Sequence, residues 1–149
     1  HKNGNKKSER YYLNDKLHNE NGSAEIRYYK SGNKELERYC LNDRLHNENG
    51  PAFVCYYETG NKESECYYLN NKLHNENGPA IINYHENGNK SEISYCLNDN
   101  YHNINGPTRI YYNINGNKLL EQYYLNDKCL ENVHSLEQLK RYIKLNNIG

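Results

Sequence analysis

The sequence predicts a mostly β protein: an elongated, single-layer antiparallel meander of 28-residue β-hairpin repeats, finished by a C-terminal capping helix. Three observations predict it. One unit recurs at a fixed interval. Tyr-Tyr/Cys-Leu-Asn-Asp/Asn starts at Tyr11, Tyr39, Tyr67, Tyr95 and Tyr123, and Gly-Asn-Lys returns in step at Gly4, Gly32, Gly60, Gly88 and Gly116. A constant period without insertions means one supersecondary unit stacked on itself, each copy covering its neighbour's apolar surface. Next, β-rich Tyr and Cys runs alternate with Gly and Asn, which tolerate the positive φ of tight turns. Finally, the pattern stops after residue 128 and a helical one replaces it. The expected organisation is a five-unit array over 1–128, its first unit truncated at the start, and a capping segment over 129–149 with a helix at about 135–146.

Within a unit, taking Gly60-Asn61 as a two-residue turn pairs Val54 with Tyr67, Tyr56 with Glu65 and Cys55 with Cys66. Strand side chains alternate between faces, so Ala52, Val54, Tyr56, Glu65, Tyr67 and Leu69 share one face. That face holds columns that barely change, such as Tyr28, Tyr56, Tyr84 and Tyr112, or Leu13, Leu41, Leu69, Leu97 and Leu125. The other face carries the columns that vary: Glu25, Phe53, Ile81 and Arg109; Arg27, Cys55, Asn83 and Tyr111; Tyr29, Tyr57, His85 and Asn113; and Tyr12, Cys40, Tyr68, Cys96 and Tyr124. The repeated face reads as structural, and the varied face as the place where specificity is written. From Leu69 to Ala80 the chain reads as one long turn, with Pro79 heading the next strand because it lacks a ladder donor. Two strands per unit give a meander of about ten.

The last unit departs from the pattern where a cap is needed. Ser135 followed by Gln138 is a capping-box signature, and Leu136, Leu139, Tyr142 and Ile143 form one stripe at helical spacing. The helix is expected to cover the last strand, hiding an edge that would otherwise pair with other chains. No comparable cover is visible at the N-terminal edge.

Composition narrows the function. Nineteen basic residues balance nineteen acidic ones, so no net field steers the chain to nucleic acid or anionic lipid. There is no long apolar run to span a membrane or direct secretion. Five cysteines, an odd number with no framework spacing, point to a reducing, cytoplasmic setting. Seventeen of the eighteen aromatics are tyrosine, whose ring covers a neighbour while its hydroxyl stays wet, as a thin sheet requires.

The stretch Tyr39-Cys40-Leu41-Asn42-Asp43-Arg44-Leu45-His46-Asn47-Glu48-Asn49-Gly50 resembles a MORN repeat, with Asn42-Asp43-Arg44 similar to the family's turn, His46 to its His and Gly50 to its later glycine. The Tyr-Tyr-x-x-Gly-Asn-Lys segments are similar to the MORN variant of bacterial YwqK-type antitoxin components. The resemblance spans residues 1–128 and implies a β-hairpin repeat with an interaction function. The unit is longer than the usual MORN repeat, Asn replaces the glycine after His, and Tyr or Cys fills the tryptophan column. With basic rows also absent, the lipid-binding role of some MORN proteins is not carried over.

Candidate chemistry is sparse. His18, His46, His74 and His102 share a column, but copies two strand spacings, roughly 10 Å, apart cannot share a zinc ion. Cys55 and Cys66, expected opposite each other, are a candidate bridge or soft-metal pair with His85, read here as two small apolar residues. Glu9, Glu37, Glu65 and Glu121 make a ladder interrupted by Ile93, and a repeated carboxylate is no tuned acid–base pair. The sequence thus predicts no catalytic residue, no metal and no cofactor. It predicts a non-enzymatic protein-interaction scaffold, antitoxin-like or a viral or phage anti-defence inhibitor in its specific form. The expected partner-binding residues are Tyr29, Phe53, Tyr57, Tyr68, Ile81, His85, Tyr111 and Tyr124, an aromatic patch of the kind that anchors partners. The alternative expectation is a homo-oligomer assembled through the N-terminal edge strand.

Overall fold

The structure, a computed structural model, describes residues 1–148. The first unit supplies β1 (Ser8–Arg10) and a short hairpin, β2 (Tyr12–Leu13) with β3 (Lys16–Leu17). The second supplies β4 (Glu25–Tyr28), β5 (Lys34–Arg38), β6 (Cys40–Leu41) and β7 (Arg44–Leu45). The third follows suit with β8 (Phe53–Tyr56), β9 (Lys62–Cys66), β10 (Tyr68–Leu69) and β11 (Lys72–Leu73). In the fourth come β12 (Ile81–Tyr84), β13 (Lys90–Ser94), β14 (Cys96–Leu97) and β15 (Asn100–Tyr101). The fifth has β16 (Arg109–Tyr112), β17 (Lys118–Gln122), β18 (Tyr124–Leu125) and β19 (Lys128–Cys129), and α1 (Leu136–Leu145) follows. The long strands form one nine-stranded antiparallel meander, β1-β4-β5-β8-β9-β12-β13-β16-β17, and each short pair closes as its own hairpin. Nine long strands stand where about ten were expected, because the first unit contributes one.

The register differs from the sequence reading. Val54 lies opposite Glu65, Phe53 opposite Cys66, and Cys55 opposite Ser64, so Cys55 does not face Cys66. The turn is responsible. Tyr57 N–H donates to Asn61 O and Gly60 N–H to Tyr57 O, both at 2.9 Å, which closes a three-residue loop with Gly60 at φ 95°. One left-handed glycine after two ordinary turn residues is the three-residue hairpin solution. That loop moves the pairing by three residues from the expected one, and a bulge at Glu63 takes one back, for a net shift of two. The two offsets together preserve which side chains share a face, so the division into faces survives while the partners change.

The short hairpins are the element that the sequence reading merged into a loop. Asn70 and Asn71 both have positive φ, 53° and 67°, the pair that a two-residue turn matched to strand twist needs. Asn71 is also a stitch: its Oδ1 accepts from Leu45 N–H of the preceding hairpin at 2.7 Å, and its own N–H donates to Leu45 O at 2.9 Å. The histidine column works on the same seam. His46 Nδ1 accepts from Asn70 N–H at 3.3 Å, and His18, His74 and His102 do the same one unit apart.

The repeated face is held by a second ladder. Glu37, Val54, Glu65, Ile82 and Ile93 follow one another across the strands, and all five are buried. The Tyr56 hydroxyl donates to Glu37 and the Tyr84 hydroxyl to Glu65, each at 2.5 Å. Each tyrosine therefore reaches the glutamate of the unit before it. At the end of the array α1 starts at Ser135, whose side chain accepts from Gln138 N–H. It sets Leu139 into a core with Tyr123, Leu125, Leu130 and Val133. That core lies at the Tyr-Leu corner of the last unit. The edge of β17 keeps Leu119 and Leu120 exposed, 66% and 49%, so the helix covers that corner and leaves this part of the strand open.

Candidate functional site

The varied face is where sheet and short hairpins meet. One row of the sheet reads Arg10, Glu25, Arg38, Phe53, Cys66, Ile81, Ser94, Arg109 and Gln122, residue opposite residue across nine strands. Phe53 and Arg38 from this row share a hollow of about 460 Å³ with Leu17, Cys40, Leu45 and Tyr68 from the hairpins. Asp43 and Asn71 stand on its wall, their side-chain oxygens already accepting from Leu17 and Leu45 N–H.

Next to the hollow, three guanidiniums converge on one carboxylate. Arg10 and Arg27 donate from Nε to Glu25 Oε1 at 2.9 Å, and Arg38 donates from Nη1 to Oε2 at 3.0 Å. Glu25 is 2% exposed. Burial alone would raise its pKa, but hydrogen bonds from Arg27 and Arg10 and the charge of Arg38 bring it below its ordinary value. Arg38 also lies 5.6 Å from the Phe53 ring centroid, within cation–π range.

The far end of the same row is closed. Arg109 donates from Nη2 to Glu92 at 2.7 Å and lies over the rings of Tyr101 and Tyr111 at 5.0 and 5.1 Å. The Tyr101 and Tyr124 rings are 5.7 Å apart. Tyr101 takes the place that Leu17, Leu45 and Leu73 hold in earlier units, and its ring packs against Arg109 and Tyr124, the equivalents of Phe53 and Tyr68.

The eight residues expected to bind a partner therefore separate into groups. Phe53 and Tyr68 line the hollow, and Ile81 lies two strands on in the Phe53 row. Tyr111 and Tyr124 belong to the closed Arg109 cluster. Tyr29, Tyr57 and His85 sit just past the long strands at the turn end. The Tyr29 and Tyr57 hydroxyls donate to Tyr56 O and Tyr84 O at 2.8 and 2.7 Å, and His85 Nε2 is 3.0 Å from Tyr112 O. Each of these three side chains bonds the following unit.

The sequence reading missed the arginine cluster. The slipped register set Glu25 opposite Cys40, so the charge match with Arg10 and Arg38 stayed hidden. In chemical terms the face offers cations and apolar surface. Burial pushes the Cys40, Cys66 and Cys96 thiols up to about 11, so they stay protonated at neutral pH and are poor nucleophiles. Among the described residues no group of three His, Cys, Asp or Glu is placed to hold a metal, and no helix is long and apolar enough to cross a membrane. No protein family, curated protein or solved structure matches this chain.

Proposed function

We propose that this chain is a non-enzymatic, MORN-like interaction scaffold that holds an extended segment of a partner protein in the groove between sheet and short hairpins. The hollow beside Phe53 carries the proposal. Inter-unit bonds occupy the hydroxyls of the repeated tyrosines, while the groove presents half-buried aromatic and aliphatic side chains that no second layer covers. Such anchors in a concave setting concentrate binding energy. A Phe53→Ala/Tyr68→Ala variant, checked by circular dichroism for an intact fold, tests it. Loss of the partner retained by the wild-type chain is the expected result, and equal retention by both removes the groove from the reading. The antitoxin-like or phage anti-defence inhibitor is the narrower form of this proposal and rests on the repeat resemblance. The five free thiols suit a cytoplasmic setting.

Self-assembly is a second reading, favoured by one observation. The exposed Leu119 replaces the Lys7, Glu35, Glu63 and Ser91 of earlier units, on a strand paired on one side only. Charged residues on edges suppress chain-to-chain pairing, so this reading moves from the N-terminal edge to β17. Light scattering that shows a self-associated wild type and a monomeric Leu119→Lys would carry it, and a monomeric wild type would end it.

A further inference from the structure

We propose that the Arg10, Arg27 and Arg38 corner and the adjoining hollow together take a carboxylate-bearing segment of a partner protein. An Asp or Glu side chain would lie on the guanidiniums and an apolar or aromatic side chain would fill the hollow. This rests on the groove reading above and adds the chemistry of the occupant.

Charge is the first argument. Three guanidiniums against one carboxylate leave two positive charges in excess at this corner of a chain that is neutral as a whole. The three arginine side chains remain 43%, 38% and 37% exposed while Glu25 is buried. Glu25 thus fixes the arginine heads in place, and each head keeps outward N–H donors in a fork suited to a second carboxylate. Holding donors in position before binding lowers the ordering cost of the complex.

The repeat itself gives the second argument. The fold does not need this cluster, because the equivalents of Arg10 and Arg38 are Cys66, Ser94 and Gln122, and those of Glu25 are Phe53, Ile81 and Arg109. At the closed end the chain satisfies the same kind of corner internally: Arg109 receives the Glu92 carboxylate and is flanked by the Tyr101 and Tyr111 rings. The open corner has Phe53 beside Arg38 but a single Glu25 carboxylate shared among three guanidiniums, and a second carboxylate is what it lacks.

The surroundings select the class of partner. The cations gather at one point and form no row that could track a phosphate backbone. Asp43 on the wall of the hollow would repel a polyanion running past Arg38. A single carboxylate followed by an apolar side chain meets neither objection.

Selection of displayed random peptides on the full chain tests the proposal, with Arg27→Gln and Tyr68→Ala as parallel baits. Arg27→Gln leaves Glu25 two arginine partners, and thermal melting verifies both folds. If Arg27→Gln melts early, Arg10→Gln at the most exposed arginine replaces it. Wild type should enrich peptides with an acidic residue next to an aromatic or aliphatic one. Arg27→Gln should lose the acidic preference and weaken the best peptide by about tenfold, the scale of one lost hydrogen bond to a charged group, whereas Tyr68→Ala should lose the apolar preference. No enrichment, or enrichment indifferent to Arg27→Gln, overturns the carboxylate inference. Apolar peptides that depend on Tyr68 alone would leave the groove reading standing without it, and peptides indifferent to Tyr68 and Phe53 would remove the groove reading too. Stronger Arg27-dependent binding of single-stranded DNA or phosphatidylserine vesicles would also overturn it, in favour of a phosphate ligand.

Discussion

The hydroxyl of Tyr56 sits at the centre of a bond that is repeated along the array. It donates to Glu37 at 2.5 Å, while Lys34 Nζ donates to the other carboxylate oxygen at 2.7 Å. Glu37 is buried, so its second oxygen has little access to water. Tyr56→Phe keeps the ring and removes the donor, and leaving a buried charged acceptor short of a bond costs about 1–3 kcal/mol. Denaturant unfolding of the two proteins would read that difference. The same bonds set an alkaline limit. The hydrogen bond to Glu9 is the main cause that pushes Tyr28 up to about 12, against about 10 in an unfolded chain. Burial first, then the bonds to Glu37 and Glu65, raise Tyr56 and Tyr84 as well. A group with a raised folded pKa contributes stability that is complete below its unfolded value and is lost as pH rises through the folded one. Stability should therefore fall between about pH 10 and 12. In a Tyr28→Phe variant this fall should be shallower, as followed by circular dichroism against phenolate absorbance; an unchanged slope would remove Tyr28 from the account.

At the scale of the element, the turns decided both what could be read in the sequence and what could not. Face assignment was legible because alternation along a strand is insensitive to a shift of two residues. Register was not. Gly60-Asn61 suggests a two-residue turn by composition, but only Gly60 takes positive φ, and the extra residue at Glu63 appears as one more polar residue in a strand. The short hairpins escaped for a different reason: two residues per strand give no periodicity to detect, and only the Asn-Asp or Asn-Asn turn announces them. Helix α1 was legible to within a residue at each end, since a ten-residue stripe with a capping serine carries both signals. The short turn makes a graded prediction. Asn71 supplies left-handed backbone and a side-chain acceptor for Leu45 N–H. Asn71→Asp, the residue of the other four units, should be neutral. Asn71→Gly keeps the backbone and loses the bond, for about 1 kcal/mol, and Asn71→Ala adds a left-handed strain of about 1 kcal/mol or more. Melting temperatures in any other order would mean that the seam is not held by this side chain.

Over the whole molecule, each unit bonds its neighbours alone, so stability should behave as a sum of unit and interface terms. Excising Tyr67–Ser94, one full period of 28 residues, and joining Cys66 to Tyr95 tests this. The new junction places β9 against β16 with the columns still in register. It also repairs a mismatch. Ile93 stands in the glutamate column, and among the described residues the Tyr112 hydroxyl makes no bond of the kind that joins Tyr56 to Glu37; excision presents Glu65 to it. The shortened chain should fold cooperatively, with a denaturant slope lower by about one fifth, in proportion to the surface removed. A molten product, or one that melts in two steps, would mean that the units are not interchangeable. The same excision takes Tyr68 out of the hollow and puts Cys96 in its column, so the partner should be lost although the array remains. That separation is what a scaffold with a site written on its varied face requires: the repeated columns tolerate removal of a unit, and the groove does not.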